Sequence, residues 1–406
     1  MEQGVELLAP AGNRECLETA FAFGADAVYI AGKQFGLRAF AANFTDDEIK
    51  SAAGYARGLD KKLYVTVNAA LREGELPELG GYLRFLRECG VDGIIFSDPA
   101  VLQAAKREGI AVPLHLSTQA NTMNSHAAQF WREAGVRRIV LSRECTLKEV
   151  SEIKRGAGDL EIEVFVHGAM CIAHSGRCLM SSFMTGRSGN RGECAQPCRW
   201  EYFLHERGYD GEYFPVSEDG RGAYVLNSKD LMMIEYIPEL IEAGVTSLKI
   251  EGRMKSVYYV ASVVGAYRRA LDGYKEHGAA YVFDNALKEE LEKSATRLFT
   301  TGFFFGNPGG GAQDTVRGVA PRKYTFCAKV TAGAENGVVQ VEQRNKFSVG
   351  EELETLSPHL RGAAFTVEYM ENEDGARQQS APHAQQKLKI NCPFPLRAGD
   401  LLRRHD

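Results

Sequence analysis

Four cysteines, Cys171, Cys178, Cys194 and Cys198, fall within 28 consecutive residues of a 406-residue chain that has nine in all. Between the two pairs runs Gly186-Arg187-Ser188-Gly189-Asn190-Arg191-Gly192, which has no apolar side chain and so cannot build a core. Thiols gathered about a glycine- and arginine-rich loop suit three chemistries. Structural disulfides are the first. An odd cysteine count, and an N-terminus whose apolar run is too short for a signal peptide, make a poor oxidised framework. Structural zinc is the second: the three residues between Cys194 and Cys198 suit a zinc pair, whereas the six between Cys171 and Cys178 do not suggest one. An iron–sulfur cluster is the third. Four thiolates on a cluster leave negative charge, which the backbone N–H groups of Gly186, Gly189 and Gly192 and the cations Arg187, Arg191 and Arg199 would offset. Spacing and composition alone leave zinc and iron–sulfur level.

The same residues resemble the signature of the peptidase U32 family. Its parts are Glu163-x-Phe165-x-x-Gly168-Ala169-Met170-Cys171, then Ser175-Gly176-Arg177-Cys178-Leu179-Met180-Ser181, then Gly192-Glu193-Cys194-Ala195-Gln196-Pro197-Cys198-Arg199-Trp200. The resemblance covers almost the whole chain and is strongest to the branch that hydroxylates tRNA. It implies a 4Fe–4S cluster on Cys171, Cys178, Cys194 and Cys198, and prephenate in place of oxygen as the hydroxyl donor. It further implies wobble uridine of tRNA as the substrate, 5-hydroxyuridine as the product, and a paralogous U32 partner subunit. A collagenase-like peptidase, as the family name has it, is the alternative; it would need one of the thiols paired with His167 or His174. The chain has no His-Glu-x-x-His zinc motif. A zinc-stabilised RNA-binding protein is the non-enzymatic reading.

Further candidates follow from that donor. Prephenate is a dicarboxylate, and a guanidinium grips carboxylates bidentately. Arg143 and Arg253 are therefore expected to hold it, with Arg38 on the long loop after the second strand as a third. Each has the alternative of an ion pair with Glu144 or Glu251. His167, beside the cysteine stretch, Glu163 and Glu251 are the expected acid–base groups. His115 lies within a strand, where a packed histidine is the simpler reading. Glu163, between Ile162 and Val164, has the alternative of a structural acid inside the fold.

What must position these residues is a recurring unit in residues 1–275. An amphipathic helix ends at glycine and a short apolar strand begins, as in Phe23–Ile30, Cys89–Phe96, Ala134–Leu141 and Ala243–Ile250. Thr45…Glu48 and Thr146…Glu149 are capping-box patterns. With Val5–Leu8, Leu63–Val67, Val112–Leu116 and Ile162–Val166, eight strands alternate with helices, which predicts an α/β fold, a (β/α)8 TIM-type barrel. Polar residues follow the strands at Asn68, Ser97-Asp98, Ser117–Gln119, Ser142–Glu144, His167 and Lys249–Arg253. Chemistry in such barrels sits at the C-terminal strand ends, so the thiols are expected to open onto the same mouth.

A cysteine-rich insertion at 168–230 carries hairpin patterns at Tyr202–His205, Glu212–Val216 and Ala223–Asn227. A linker at 276–320 holds a charged helix, Asn285–Thr296, and a Gly/Pro break. Residues 321–406 change to period-two strands and predict a small all-β C-terminal domain, a β-barrel. The net charge of -5 argues against a general polyanion binder and confines any tRNA contact to a local basic patch. No apolar run is long enough to span a membrane, and the expected location is cytoplasmic. The scattered Cys16, Cys89, Cys145, Cys327 and Cys392 read as small core residues.

Overall fold

Short, mostly apolar strands are stable only when both faces are covered, and here they close on themselves. The computed structural model describes the chain except residues 1–3, 38–42, 172, 175–176, 201–202, 206–212, 216–227, 309–322 and 361. Strands β1 (Glu6–Pro10), β2 (Ala27–Ala31), β3 (Lys62–Val67), β4 (Gly93–Phe96), β5 (Leu114–Leu116), β6 (Arg138–Val140) and β7 (Glu161–Gly168) pair in sequence. A β8–β9 hairpin (Phe203–His205, Tyr213–Pro215), β10 (Asp230–Met232) and β11 (Ser247–Ile250) follow. Strand β11 runs parallel to both β7 and β1, which closes the eight-stranded parallel barrel. Strand β10 adds antiparallel to the C-terminal end of β7, and β12 (Phe299–Thr300) adds to β10.

Helices α1 (Arg14–Ala22), α2 (Asp46–Gly58), α3 (Leu76–Cys89), α4 (Pro99–Arg107), α5 (Ser125–Glu133) and α6 (Leu147–Ala157) are the first six crossovers. Both capping boxes form as their spacing predicts, at Thr45/Glu48 and Thr146/Glu149. Asp98 caps α4 with Pro99 at its first turn, so this acid after β4 is a helix cap. Gly90, at φ 71°, turns α3 toward β4 in the left-handed conformation. Within the insertion lies the six-residue α7 (Met180–Thr185). Helix α8 (Ile237–Glu242) precedes β11. The long α9 (Val257–His277) then lays Val260, Val263, Val264, Tyr267 and Leu271 into the core, not toward a ligand. The predicted strand at 223–227 and the last three residues, 309–311, of the Gly/Pro break predicted over 303–311 lie outside the described residues.

Charge is buried inside the barrel. Arg138 lies 3.1 Å from Glu163 and 2.7 Å from Glu161, and also pairs with Glu6. Lys249 Nζ lies 2.8 Å from Glu163, and the Tyr64 hydroxyl donates to Glu6 at 2.7 Å. Burial by itself would favour neutral carboxyls. The facing cations outweigh it and hold Glu163 and Glu6 below the usual carboxylate range.

Helix α10 (Asn285–Ser294) leads to the C-terminal domain: β13 (Tyr324–Glu335), β14 (Val338–Gln343), β15 (Glu352–Leu356), β16 (Ala364–Thr366), β17 (Met370–Glu371), β18 (Lys387–Asn391) and β19 (Leu401–His405). These form one antiparallel sheet, order β16-β15-β19-β13-β14-β18-β17, curled around its own core of Cys327, Val330, Phe347, Leu353 and Ile390. Its seam with the barrel is charged. Arg403, 1% exposed, reaches Glu290 of α10 at 2.6 Å, and Lys329 reaches Glu15 of α1 at 2.8 Å. Cys16, Cys89, Cys145, Cys327 and Cys392 are buried, and all nine cysteines are free thiols. Among the described residues no helix is long and apolar enough to cross a membrane.

Candidate functional site

Reading the strands to their C-terminal ends leads into a cavity of about 180 Å³. Tyr29 of β2, Asn68 after β3, Gln119 after β5, Arg143 after β6 and Phe165 of β7 form its barrel wall. Lys249, Glu251 and Arg253 come from the end of β11 and the turn beyond it. The opposite wall is the insertion: Cys171, Cys178, Cys194 and Cys198 all line the cavity, with His174 and the loop residues Gly189, Asn190 and Gly192. The loop that lacked apolar side chains is thus folded back against the thiols.

Local hydrogen bonds fix this wall. The Ala195 N–H donates to Ser181 Oγ at 3.0 Å, tying the second cysteine pair to α7. Gln196 sits in the left-handed region at φ 57°, and its N–H points at Cys194 Sγ, 3.3 Å away. Arg191 bridges out of the insertion to Glu75, at 2.9 and 3.1 Å, and to the Ala70 carbonyl at 2.6 Å. Gly168, at φ 104°, lets β7 pass the backbone of the opposite rim: a Cβ there would lie 2.6 Å from the Glu251 carbonyl oxygen.

Electrostatics differ among the thiols. Burial pushes the Cys198 thiol up, Arg199 opposes this, and the neighbouring Cys171, Cys194 and Cys178 add to it. Cys198 therefore lies within electrostatic reach of the other three thiols. Among the described residues, however, no group of three or more His, Cys, Asp or Glu side chains is arranged as a single-ion site. Behind Cys198 stand Arg199, Lys255 and Arg297 around Asp230, with Arg297 at 3.2 Å from that carboxylate. Burial lowers the pKa of both Lys255 and Arg199.

The barrel wall presents cations. Arg143 stacks on the Phe165 ring at 4.0 Å and reaches Glu251 at 3.1 Å. Arg253 donates to the Leu37 carbonyl and is nearly buried. Lys249 Nζ lies 4.5 Å over the Tyr29 ring. Asn68 donates to Gln119 Oε1 at 2.7 Å, and Ser117 donates to the same atom at 3.2 Å.

Of the residues singled out from sequence, the cavity unites the four cysteines, Arg143, Arg253 and Glu251. Arg38 lies outside the described residues. Glu163 and His167, expected from sequence to do acid–base work, do not line the cavity. Glu163 is fully buried between Arg138 and Lys249, as the structural alternative had it. Period two along β7 would turn His167 to the same side as Glu163 and Phe165. A register shift against β11, where Lys249 faces Phe165 and Ile250 faces His167, breaks that period. His167 instead packs among Tyr259 and Tyr267 of α9 and Phe299 of β12, where burial drives its pKa down to about 3. His115 is likewise buried, edge-on to Tyr64. The imidazole that does face the thiols is His174, 3.5 Å from Glu144. The arrangement can bind a small anion against Arg143, Arg253 and Lys249 while holding soft sulfur donors a few side chains away.

Comparison with known proteins gives a consistent picture. Residues 12–314 match Peptidase family U32, and residues 322–403 match the Peptidase family U32 C-terminal domain. The chain is 41% identical over 401 residues to "tRNA hydroxylation protein P1" of Bacillus subtilis (strain 168), covering 98% of this chain and 94% of that one. It is 36% identical over 417 residues to "tRNA hydroxylation protein P" of Escherichia coli (strain K12), covering 93% and 91%. To the "23S rRNA 5-hydroxycytidine C2501 synthase" of Escherichia coli (strain K12) it is 38% identical over 272 residues, 67% of this chain and 40% of that protein.

Proposed function

The chain belongs to peptidase family U32, and from that membership we propose that it hydroxylates a pyrimidine of RNA, specifically uridine of tRNA to 5-hydroxyuridine. The relatives named for tRNA hydroxylation and for making 5-hydroxycytidine point to the reaction type and to RNA as the substrate. The observation that carries the reading is that four cysteines and two arginines, from distant parts of the chain, line one cavity.

The chemistry of the donor set supports an iron–sulfur cluster. Soft thiols form one wall; a metal would deprotonate Cys198 despite its burial, and the Gln196 N–H already points at a sulfur. The thiols alone leave zinc and iron–sulfur level; family membership is what favours a 4Fe–4S cluster on Cys171, Cys178, Cys194 and Cys198, with zinc as the alternative. Such a group supplies electrons, or an iron site for a ligand oxygen, without molecular oxygen.

The protein's own residues bind and orient. Phe165 and Glu251 fix the plane of Arg143, which with Arg253 grips the two carboxylates of prephenate, the proposed hydroxyl donor. Lys249 adds charge at the cavity floor. Gln119, whose oxygen is taken by Asn68 and Ser117, offers its amide NH2 to a base edge. His174, held by Glu144, is the imidazole placed to move a proton at the thiol side. A peptidase would require a thiol within hydrogen-bond reach of that ring, whereas its described neighbour is a carboxylate.

Protein purified without air is expected to be brown. With prephenate and undermodified tRNA, in the strict absence of oxygen, it should yield hydroxylated uridine by nucleoside mass spectrometry. Alanine at any one of the four cysteines should remove both colour and product. A colourless protein holding one zinc, or a reaction that needs molecular oxygen, would sink the assignment.

A further inference from the structure

Four of the ten large apolar side chains exposed among the described residues, Leu179, Phe183, Met184 and Trp200, lie on the rim outside the thiols. Residues 171–200 hold four arginines, Arg177, Arg187, Arg191 and Arg199, and one acid, Glu193, in a chain whose net charge is -5. The exposed apolar side chains of this stretch are clustered: Phe183 at 89%, Leu179 at 72% and Trp200 at 45%. Leu179 and Phe183 are four residues apart across α7, so they share its outer face. Trp200 ends the Pro197–Arg199 turn that packs against α7. Cys178, which lines the cavity, precedes Leu179, and Cys198, which also lines it, lies two residues before Trp200, so the exposed side chains flank the cavity wall in sequence without lining it. Arg177 is exposed beside them.

We propose that this rim is the docking surface for an unpaired RNA loop, with Phe183 and Trp200 as stacking platforms for the bases flanking the one that enters the cavity. The inference rests on the RNA-hydroxylation reading and adds the surface that reading lacks. Exposed rings interleaved with arginine are what single-stranded nucleic acid binds: each base offers a face to stack on and each phosphate a charge to pair with. A protein partner would be served by the rings, whereas the exposed cations Arg177 and Arg187, on a chain of net charge -5, favour a polyanion. A duplex would gain from the arginines but has no unstacked base for the rings.

The test uses the full chain with its metal centre intact and measures binding of bulk tRNA at fixed salt. Phe183→Ala and Trp200→Ala are each expected to weaken binding roughly 5- to 150-fold, the range of one lost base stack. Phe183→Tyr and Trp200→Phe keep a ring and should restore most of it. Arg177→Gln should lower the slope of log affinity against log salt by about 0.7. Iron content and dicarboxylate binding serve as the fold control and should match the unaltered protein. If that protein binds tRNA and both alanine variants bind equally well, the docking surface is wrong while the RNA reading stands. If the unaltered protein binds no RNA, the reading beneath fails as well. Variants that keep RNA affinity but lose association with another protein chain overturn the inference in favour of a protein interface.

Discussion

The barrel of this protein holds two constellations of chemically capable side chains, one at its floor and one at its mouth, and they are built differently. At the floor, Glu6, Arg138, Glu163 and Lys249 project from strands, and each is paired at hydrogen-bond distance and almost wholly buried. At the mouth, thiols, His174 and the Gly189–Gly192 loop come from an insertion, are partly exposed, and face a cavity. Charge locked by strands serves the fold; donors on loops are left available to a ligand. Lys249 belongs to both, because its ammonium pairs with Glu163 of the floor and the residue also lines the cavity.

The largest effect that separates the two regions is expected at the floor. Arg138→Met strands Glu6 and Glu163 in the interior and should cost about 3–5 kcal/mol of stability, read by denaturant unfolding. A small loss there would mean the floor is no structural network. A pH effect of similar reach should come from His167. Its folded pKa, about 3, lies below the ordinary histidine value, so the unfolded chain takes up a proton first as pH falls. Stability should decline by up to ~1.4 kcal/mol per pH unit from about 6.5 toward 3, and be intact above 6.5. His167→Phe should flatten that slope; a histidine exposed at the mouth would show none to flatten.

At the mouth, stability and function should part company. Arg143→Ala is expected to weaken dicarboxylate binding by roughly 10- to 150-fold, the worth of a charge-assisted bond, with unfolding little changed. Calorimetry with prephenate checks this, and unaltered affinity would remove Arg143 from the ligand site. The smallest effect belongs to Arg191→Ala at the hinge between insertion and barrel. Its pair with Glu75 is about one-third exposed and should contribute less than about 1 kcal/mol. A larger loss in melting experiments would make that contact a structural anchor.

Much of this was legible in the chain itself. The capping boxes at Thr45 and Thr146, the glycine after α3 and the polar residue after each strand are local signals, and local hydrogen bonding carries them into the fold. The convergence of Cys171 to Cys198 with Arg143, Glu251 and Arg253 followed from barrel topology, since strand ends share one face. His167 did not follow: a register shift of one residue between β7 and β11 reverses a side chain, and nothing in β7 alone encodes its partner's register. Nor did the cluster of Arg199, Lys255 and Arg297 around Asp230, whose members come from four separate segments and carry no shared spacing.

By itself, the order of residues determined the elements, their caps and the set of donors, because those depend on neighbours within a few positions. Only the closed barrel decided which donors meet. Pairing β11 with both β7 and β1 brings residues more than 80 positions apart, such as Glu163 and Lys249, to 2.8 Å. That choice is made by sheet register and by burial of the strands on both faces, which no local window contains.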